Sequence, residues 1–295
     1  MKILVIGQSV VDRIFYKGIE EVKPGGIFYA VVALSNFTEQ SDEIFLCSTI
    51  SKKDENLFLD IYNRINKKYI GYADKIPQVS LTINDDKERD EKYNHISQNL
   101  SLPIEELNNY DGILINMITG FDITLDQMIK VRKEYDGLIY FDVHTFSRGV
   151  SDDMKRYFRR ISDFHKWAEN IDILQANEEE IKTISDKTVE IEIVKEMFSY
   201  GVKLFIVTKG EKGVRIYFRN NDEIESVFIP VVKVQPINKV GCGDVFGAIF
   251  FYNYIRTNDI IDSLRVANLA AGIATTYSQT ADYKGLKSDV LQRYS

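Results

Sequence analysis

The chain predicts a doubly wound α/β fold, a mostly parallel sheet with helices on both faces. Two observations carry this. Short apolar runs alternate with amphipathic helical patterns along nearly the whole chain, and such alternation builds parallel sheets covered on both faces. Runs such as Ile-Leu-Ile-Asn-Met-Ile (113–118) stay apolar instead of alternating, as strands buried on both sides do.

Taken in order, 3–7 reads as a strand, 26–37 as a helix and 43–50 as a strand. The spacing of Leu57, Ile61 and Ile65 predicts a helix over 56–69. Strand 112–117 precedes a helix near 125–135, strand 138–143 a helix near 153–168, and strand 171–176 a short helix at 178–184. A helix near 190–200 leads to strand 204–208, and strands 213–218 and 224–230 follow. Helices close the chain at about 244–256, 262–277 and 288–294. One stretch breaks the rhythm: 78–83 alternates weakly and 84–93 is a charge-rich hairpin candidate. With the N-terminal segment it reads as a small β lid, formed by about 11–24 and 76–98, on a single domain spanning 1–295.

With 295 residues, 44% apolar and 27% charged, the chain has the composition of a globular protein with a substantial core. A net charge of −7 argues against a nucleic-acid partner. Cys47 and Cys242 make no disulfide framework, and His95, His144 and His165 are too scattered for zinc. The apolar start is too short for a signal peptide and no run reaches membrane-spanning length. The expectation is a cytoplasmic protein with no membrane partner.

Ligands of open α/β sheets bind outside the carboxyl ends of the strands. Polar residues cluster there: Asp12, Asp142 and His144, Asn177 and Glu180, then Lys209-Gly210. The run Gly241-Cys242-Gly243-Asp244 opens a long apolar helix. Unpaired N–H groups at such a helix start favour an anion, and Asp244 could take the proton of an attacking hydroxyl while phosphorus is transferred. The plainer alternative is a helix cap with glycines for packing. Asn177-Glu178-Glu179-Glu180 could organise hydrated magnesium, or simply favour the helix dipole. Gly25 and Gly26 after Pro24 make a turn that lets a polyol approach the backbone. Asp12 could bind substrate hydroxyls, and His144, with Arg148 beyond it, could face substrate or phosphate. Cys242 reads as a small packing residue.

Together these motifs resemble the ribokinase-like, or phosphofructokinase-B type, family of carbohydrate kinases. Pro24-Gly25-Gly26 with Ala30-Val31-Val32-Ala33-Leu34 resembles its first signature, Asn177-x-x-Glu180 its magnesium and phosphate motif, and Gly241-Cys242-Gly243-Asp244 its second signature. Val207 to Gly213 is similar to the segment lining the nucleotide. The resemblance implies an ATP- and Mg2+-dependent kinase acting on a sugar, inositol-like polyol or nucleoside. Asp244 is then the base, with the Gly241, Cys242 and Gly243 backbone around the transferring phosphoryl group. Asp12, Gly25, Gly26 and His144 would meet the substrate. Asn177, Lys209, Gly210, Gly213 and Asn268 would meet the nucleotide, and Asn177 and Glu180 would hold magnesium through water. Lids of this family often pair, which implies a homodimer.

Three departures stand out: Ala30 replaces a usual asparagine, Asp142-Val143-His144 a usual Asp-Pro-Asn, and Asn238-Lys239 a usual Asp-Thr. The last leaves dependence on a monovalent cation open. They motivate a rival reading, a nucleotide- or sugar-binding regulator that kept the fold and lost turnover.

Overall fold

The computed structural model describes residues 1–84, 87–221 and 223–294. The strands are β1 (Lys2–Ile6), β2 (Ser9–Tyr16), β3 (Ile19–Gly26), β4 (Glu43–Ser51), β5 (Asn66–Ala73), β6 (Gln78–Asn84), β7 (Lys87–His95), β8 (Gly112–Asn116), β9 (Leu138–Asp142), β10 (Arg148–Val150), β11 (Arg156–Phe158), β12 (Ile173–Asn177), β13 (Leu204–Thr208), β14 (Gly213–Asn220) and β15 (Glu223–Pro230). The helices are α1 (Phe28–Phe37), α2 (Leu59–Tyr62), α3 (Leu125–Glu134), α4 (Phe164–Ala168), α5 (Glu190–Ser199), α6 (Cys242–Thr257), α7 (Ile260–Ala274) and α8 (Leu286–Tyr294).

Nine strands form the main sheet in the order β15-β14-β13-β12-β9-β8-β1-β4-β5. All pair in parallel except β14 and β15, which run antiparallel at one edge. The non-alternating runs are buried on both faces. Ile3 and Val5 of β1 enter one core and Leu4 and Ile6 the other; Leu204 and Ile206 of β13 likewise oppose Phe205 and Val207. The first core is covered by α1, α6, α7 and α8, the second by α3, α4 and α5. From β1 the chain builds outward to β4 and β5 on one side and to β8, β9, β12 and β13 on the other. The order therefore reverses between β1 and β8, and open α/β sheets offer a crevice at such a switch point.

A second sheet, β3-β2-β6-β7, stands apart from the main one. Its strands lie within 9–26 and 78–95; the charge-rich turn expected within 84–93 includes 85–86, which lie outside the described residues. Arg156 of β11 joins this sheet to the body: its Nη1 lies 2.9 Å from Glu91 Oε2 and its guanidinium 4.3 Å from the Tyr93 ring centroid. Tyr93 Oη in turn donates to the Thr119 carbonyl at 2.9 Å.

Two expected helices are different structures. The helix over 56–69 stops at Tyr62, and β5 takes over as the edge partner of β4. Spacing of four among apolar residues fits a helix and, by accident here, a turn followed by a half-buried strand. Over 153–168 only Phe164–Ala168 is helical, while Arg156–Phe158 pairs with Arg148–Val150. Met154 and Asp163 have φ of 66° and 57°, a left-handed conformation that breaks a helix at both places. The short helix at 178–184 is a single turn, Glu180–Thr183.

Candidate active site

The C-terminal edge of the sheet gathers the polar residues. Asn116, Asp142 and Asn177 are the last residues of β8, β9 and β12. Beside them α6 begins at Gly241, whose φ of 78° is left-handed. A Cβ there would lie 2.1 Å from Cγ of Tyr29, so the Tyr29 ring and the backbone both require glycine. A Cβ on Gly243 would meet nothing within 4 Å.

Asp244 lies in the first turn of α6 and is 6% exposed. Asn116 Nδ2 donates to its Oδ1 at 2.6 Å. Burial pushes the carboxyl up to about 7; the Asn116 bond works against this and the Asp12 charge works with it. A carboxyl poised there accepts protons near neutral pH. His144 Nε2 lies 3.9 Å from the same Oδ1, and its φ of 39° holds a non-glycine residue in the left-handed region, where strain concentrates at functional sites.

Two more buried acids adjoin. Asp142 accepts from Gln175 Nε2 at 2.9 Å, while Gln175 Oε1 accepts from Tyr140 Oη at 2.5 Å. Burial, then the charges of Glu180 and Asp244, raise Asp142 well above the carboxylate range. Burial likewise raises Glu180 to about 7, opposed by the Asn177 backbone N–H and by Arg148. Glu180 Oε2 accepts the Asn177 N–H at 2.8 Å, and Asn177 Oδ1 accepts the N–H groups of Glu179 and Glu180 at 2.9 Å each. The turn closes on itself.

Asp12, on β2, is also buried. A Cβ on Gly25 would lie 2.1 Å from Asp12 Oδ2, so the missing side chain makes room for this carboxylate. Gly26 has φ of 65°, and its Cβ would meet the Gln8 carbonyl at 2.5 Å. Burial pushes the Cys242 thiol up, and the Asp244 charge adds to this, which disfavours a thiolate there.

The segment expected to line a nucleotide lies further along the sheet edge. Gly210 has φ of 53° with open space where a side chain would be, while a Cβ on Gly213 would strike the Ile229 carbonyl at 2.1 Å. Lys239, before α6, reaches Glu211 at 2.5 Å. Lys209 is turned toward α5, 2.5 Å from Glu190 Oε2 and 3.5 Å from Glu178 Oε1. It lines a cavity of about 470 Å³ with Lys212, Arg215, Tyr217 and Phe228, away from Asp244. Asn268 Nδ2 donates to the Pro230 carbonyl at 2.9 Å.

The structure thus brings Asp12, His144, Asn177, Glu180 and Asp244 to one region, and sets Lys209 and Asn268 on contacts of their own. Sequence reasoning did not single out Asn116 or Gln175. Asn116 is the lone amide of the apolar strand β8 and Gln175 sits between apolar neighbours in β12, which was the available signal. Among the described residues no three His, Cys, Asp or Glu side chains converge to ligate a metal directly. The hard oxygens of Asn177 and Glu180 fit a magnesium ion that keeps most of its waters.

Comparison with known proteins agrees with this architecture. Residues 146–284 match the pfkB family carbohydrate kinase. Ribokinase of Bacillus subtilis is 39% identical over 85 residues, 29% of this chain and 27% of that protein. Arabidopsis thaliana ribokinase, solved with ribose and ATP, superposes with a TM-score of 0.78 at 16% identity, covering 99% of this chain and 97% of that one. A ribokinase II from E. coli, solved with ATP and Mg2+, gives 0.76 at 17%, covering 99% of each. At these identities the structural likeness is one of fold. The curated relatives are matched over only 27% to 63% of their length. Residues 146–284 are thus similar to the pfkB family carbohydrate kinase, and the chain as a whole shares the fold of these ribokinase structures.

Proposed function

We propose that this protein transfers the terminal phosphoryl group of ATP to a hydroxyl of an uncharged sugar, polyol or nucleoside. The observation that carries the reading is Asp244: a buried carboxyl raised to about 7, at the entrance of a helix, held by a side chain from the sheet. In the step, Asp244 takes the proton of the acceptor hydroxyl. The oxygen forms its bond to the γ-phosphorus as the bond from phosphorus to the bridging oxygen of ADP breaks. The α6 N-terminus, with its glycines, receives the transferring charge. Asn177 and Glu180 would hold hydrated magnesium, which neutralises phosphate charge when bound.

Asp12 and Asp244 beside the acceptor argue for its being neutral. A phosphorylated or carboxylated acceptor would face two acids. The relatives solved with ribose and ATP and with ATP and Mg2+ support the donor and the class of acceptor by analogy of fold. The test is ADP formation with magnesium across sugars, inositols and nucleosides. Turnover with one neutral acceptor supports the reading. Nucleotide binding with no turnover on any acceptor would favour a binding protein instead.

A further inference from the structure

We infer that Asn116 is a positioning residue of this reaction: its amide N–H holds Oδ1 of Asp244, which leaves Oδ2 to receive the proton, and its own Oδ1 accepts a hydrogen bond from the acceptor. The inference rests on the kinase reading above and adds to it a residue outside the family signatures.

Three observations support it. The bond from Asn116 Nδ2 to Asp244 Oδ1 is short, at 2.6 Å, and buried; hydrogen bonds to an ionised acceptor are the strong ones. An ionised carboxylate only accepts, so the amide nitrogen faces it and the amide oxygen faces elsewhere. That oxygen is the second observation. Asn116 is 2% exposed, and its Oδ1 is buried with no hydrogen-bond partner among the described residues. Buried acceptors are nearly always paired, and one left open at a site calls for a ligand donor. The third is place. Asn116 ends β8, and β1, its neighbour across the reversal in strand order, ends beside Gly7. A Cβ on Gly7 would lie 2.9 Å from Ile27 Cδ1 and 3.0 Å from the Asn116 carbonyl oxygen, so this glycine lets the ends of β1 and β8 pack closely at the switch point. A hydroxyl of the acceptor, adjacent to the one that reacts, has the chemistry to fill the open Oδ1. A vicinal diol would then use both ends of the Asn116–Asp244 pair.

The test uses Asn116→Leu, which keeps the volume and removes both polar atoms. Carboxyl-13C aspartate labelling, with the Asp244 signal assigned through Asp244→Asn, gives the midpoint of that residue's titration without any turnover. The groups facing Asp244 are Asp12, Asp142, His144, Glu180, Cys242 and Tyr283; all remain in the variant, so the difference from the parent isolates Asn116. The midpoint should rise by about one unit or more, since a donor to the charged form is lost. With a working acceptor, kcat should fall about tenfold to a hundredfold, the acceptor KM should rise, and the ATP KM should stay within about twofold. A folded variant with an unchanged midpoint overturns the inference. A shifted midpoint with unchanged kcat and acceptor KM overturns the catalytic part. Should Asn116→Leu fail to fold, Asn116→Ser, too short to reach the carboxylate, decides by the same readings. A parent protein inert toward every acceptor defeats the kinase reading and with it the acceptor half, while the titration alone still decides the contact with Asp244.

Discussion

The two ends of the central sheet treat their acids in opposite ways. At the N-terminal edge, Asp42 and Asp172 immediately precede β4 and β12. Asp172 is 5% exposed but sits 2.6 Å from Arg132 and 2.7 Å from Lys203, and also accepts the Ile139 N–H. Asp42 meets the chain's amino terminus at 3.0 Å and Arg256 at 3.5 Å. Although its burial works the other way, bonds from Tyr252 and the amino terminus hold it below the usual carboxylate range. At the C-terminal edge, Asp142, Glu180 and Asp244 have no lysine or arginine within ion-pair distance among the described residues. All three are raised, with burial the largest cause. One end neutralises its acids within the fold. The other keeps acids whose charge is unbalanced until protons, cations or substrate arrive. Such under-compensated clusters mark functional sites.

Breaking each end should therefore give different results. The largest effect is expected from Asp244→Asn: phosphoryl transfer should drop by about 10²- to 10⁴-fold, with the fold intact by circular dichroism. Retained turnover would remove Asp244 from the chemistry.

Stability should move the other way. A carboxyl raised to about 7 in the folded protein binds protons that the unfolded chain, ordinary at about 4, has already released. Its contribution therefore falls as pH rises from about 4 through 7 and is level above. Asp244→Asn should be more stable than the parent at pH 8, by up to about 4 kcal/mol, with the gap closing toward pH 4. Denaturant midpoints at both pH values measure this, and a variant less stable at pH 8 would contradict it.

At the opposite edge, Asp172→Leu should cost about 2–4 kcal/mol by stranding Arg132 and the Ile139 N–H. Turnover per folded molecule should be unchanged, and a selective loss of turnover would erase the contrast between the edges. The smallest effect belongs to Lys212→Ala. Its pair with Glu178 is 2.9 Å long but exposed, so thermal unfolding should shift by no more than about 0.5 kcal/mol.

How legible this was in the sequence depends on the range of the interactions. Strands buried on both faces, such as β13, are written in their own residues, and so is the tight start of α6. The edge strand β5 is not, because its pairing with β4 decides a segment whose local spacing suits a helix. The acids at the strand ends were visible as residue types. Their electrostatic character was not, since it depends on which cations the fold brings near. Asn116 and Asp244 lie 128 positions apart, and only the packing of α6 over β8 reveals them as a pair. Lys209 shows the converse: its place in a strand–turn motif suggested a nucleotide contact, while α5 supplies Glu190 beside it.

The pH dependence of kcat/KM for ADP formation, measured with a neutral acceptor, tests the central claim most directly. If Asp244 must be ionised to take the proton, the rate should fall about tenfold or more per pH unit below an acid limb near 7. A limb near 4, or a flat profile across this range, would contradict a buried, raised carboxyl as the base.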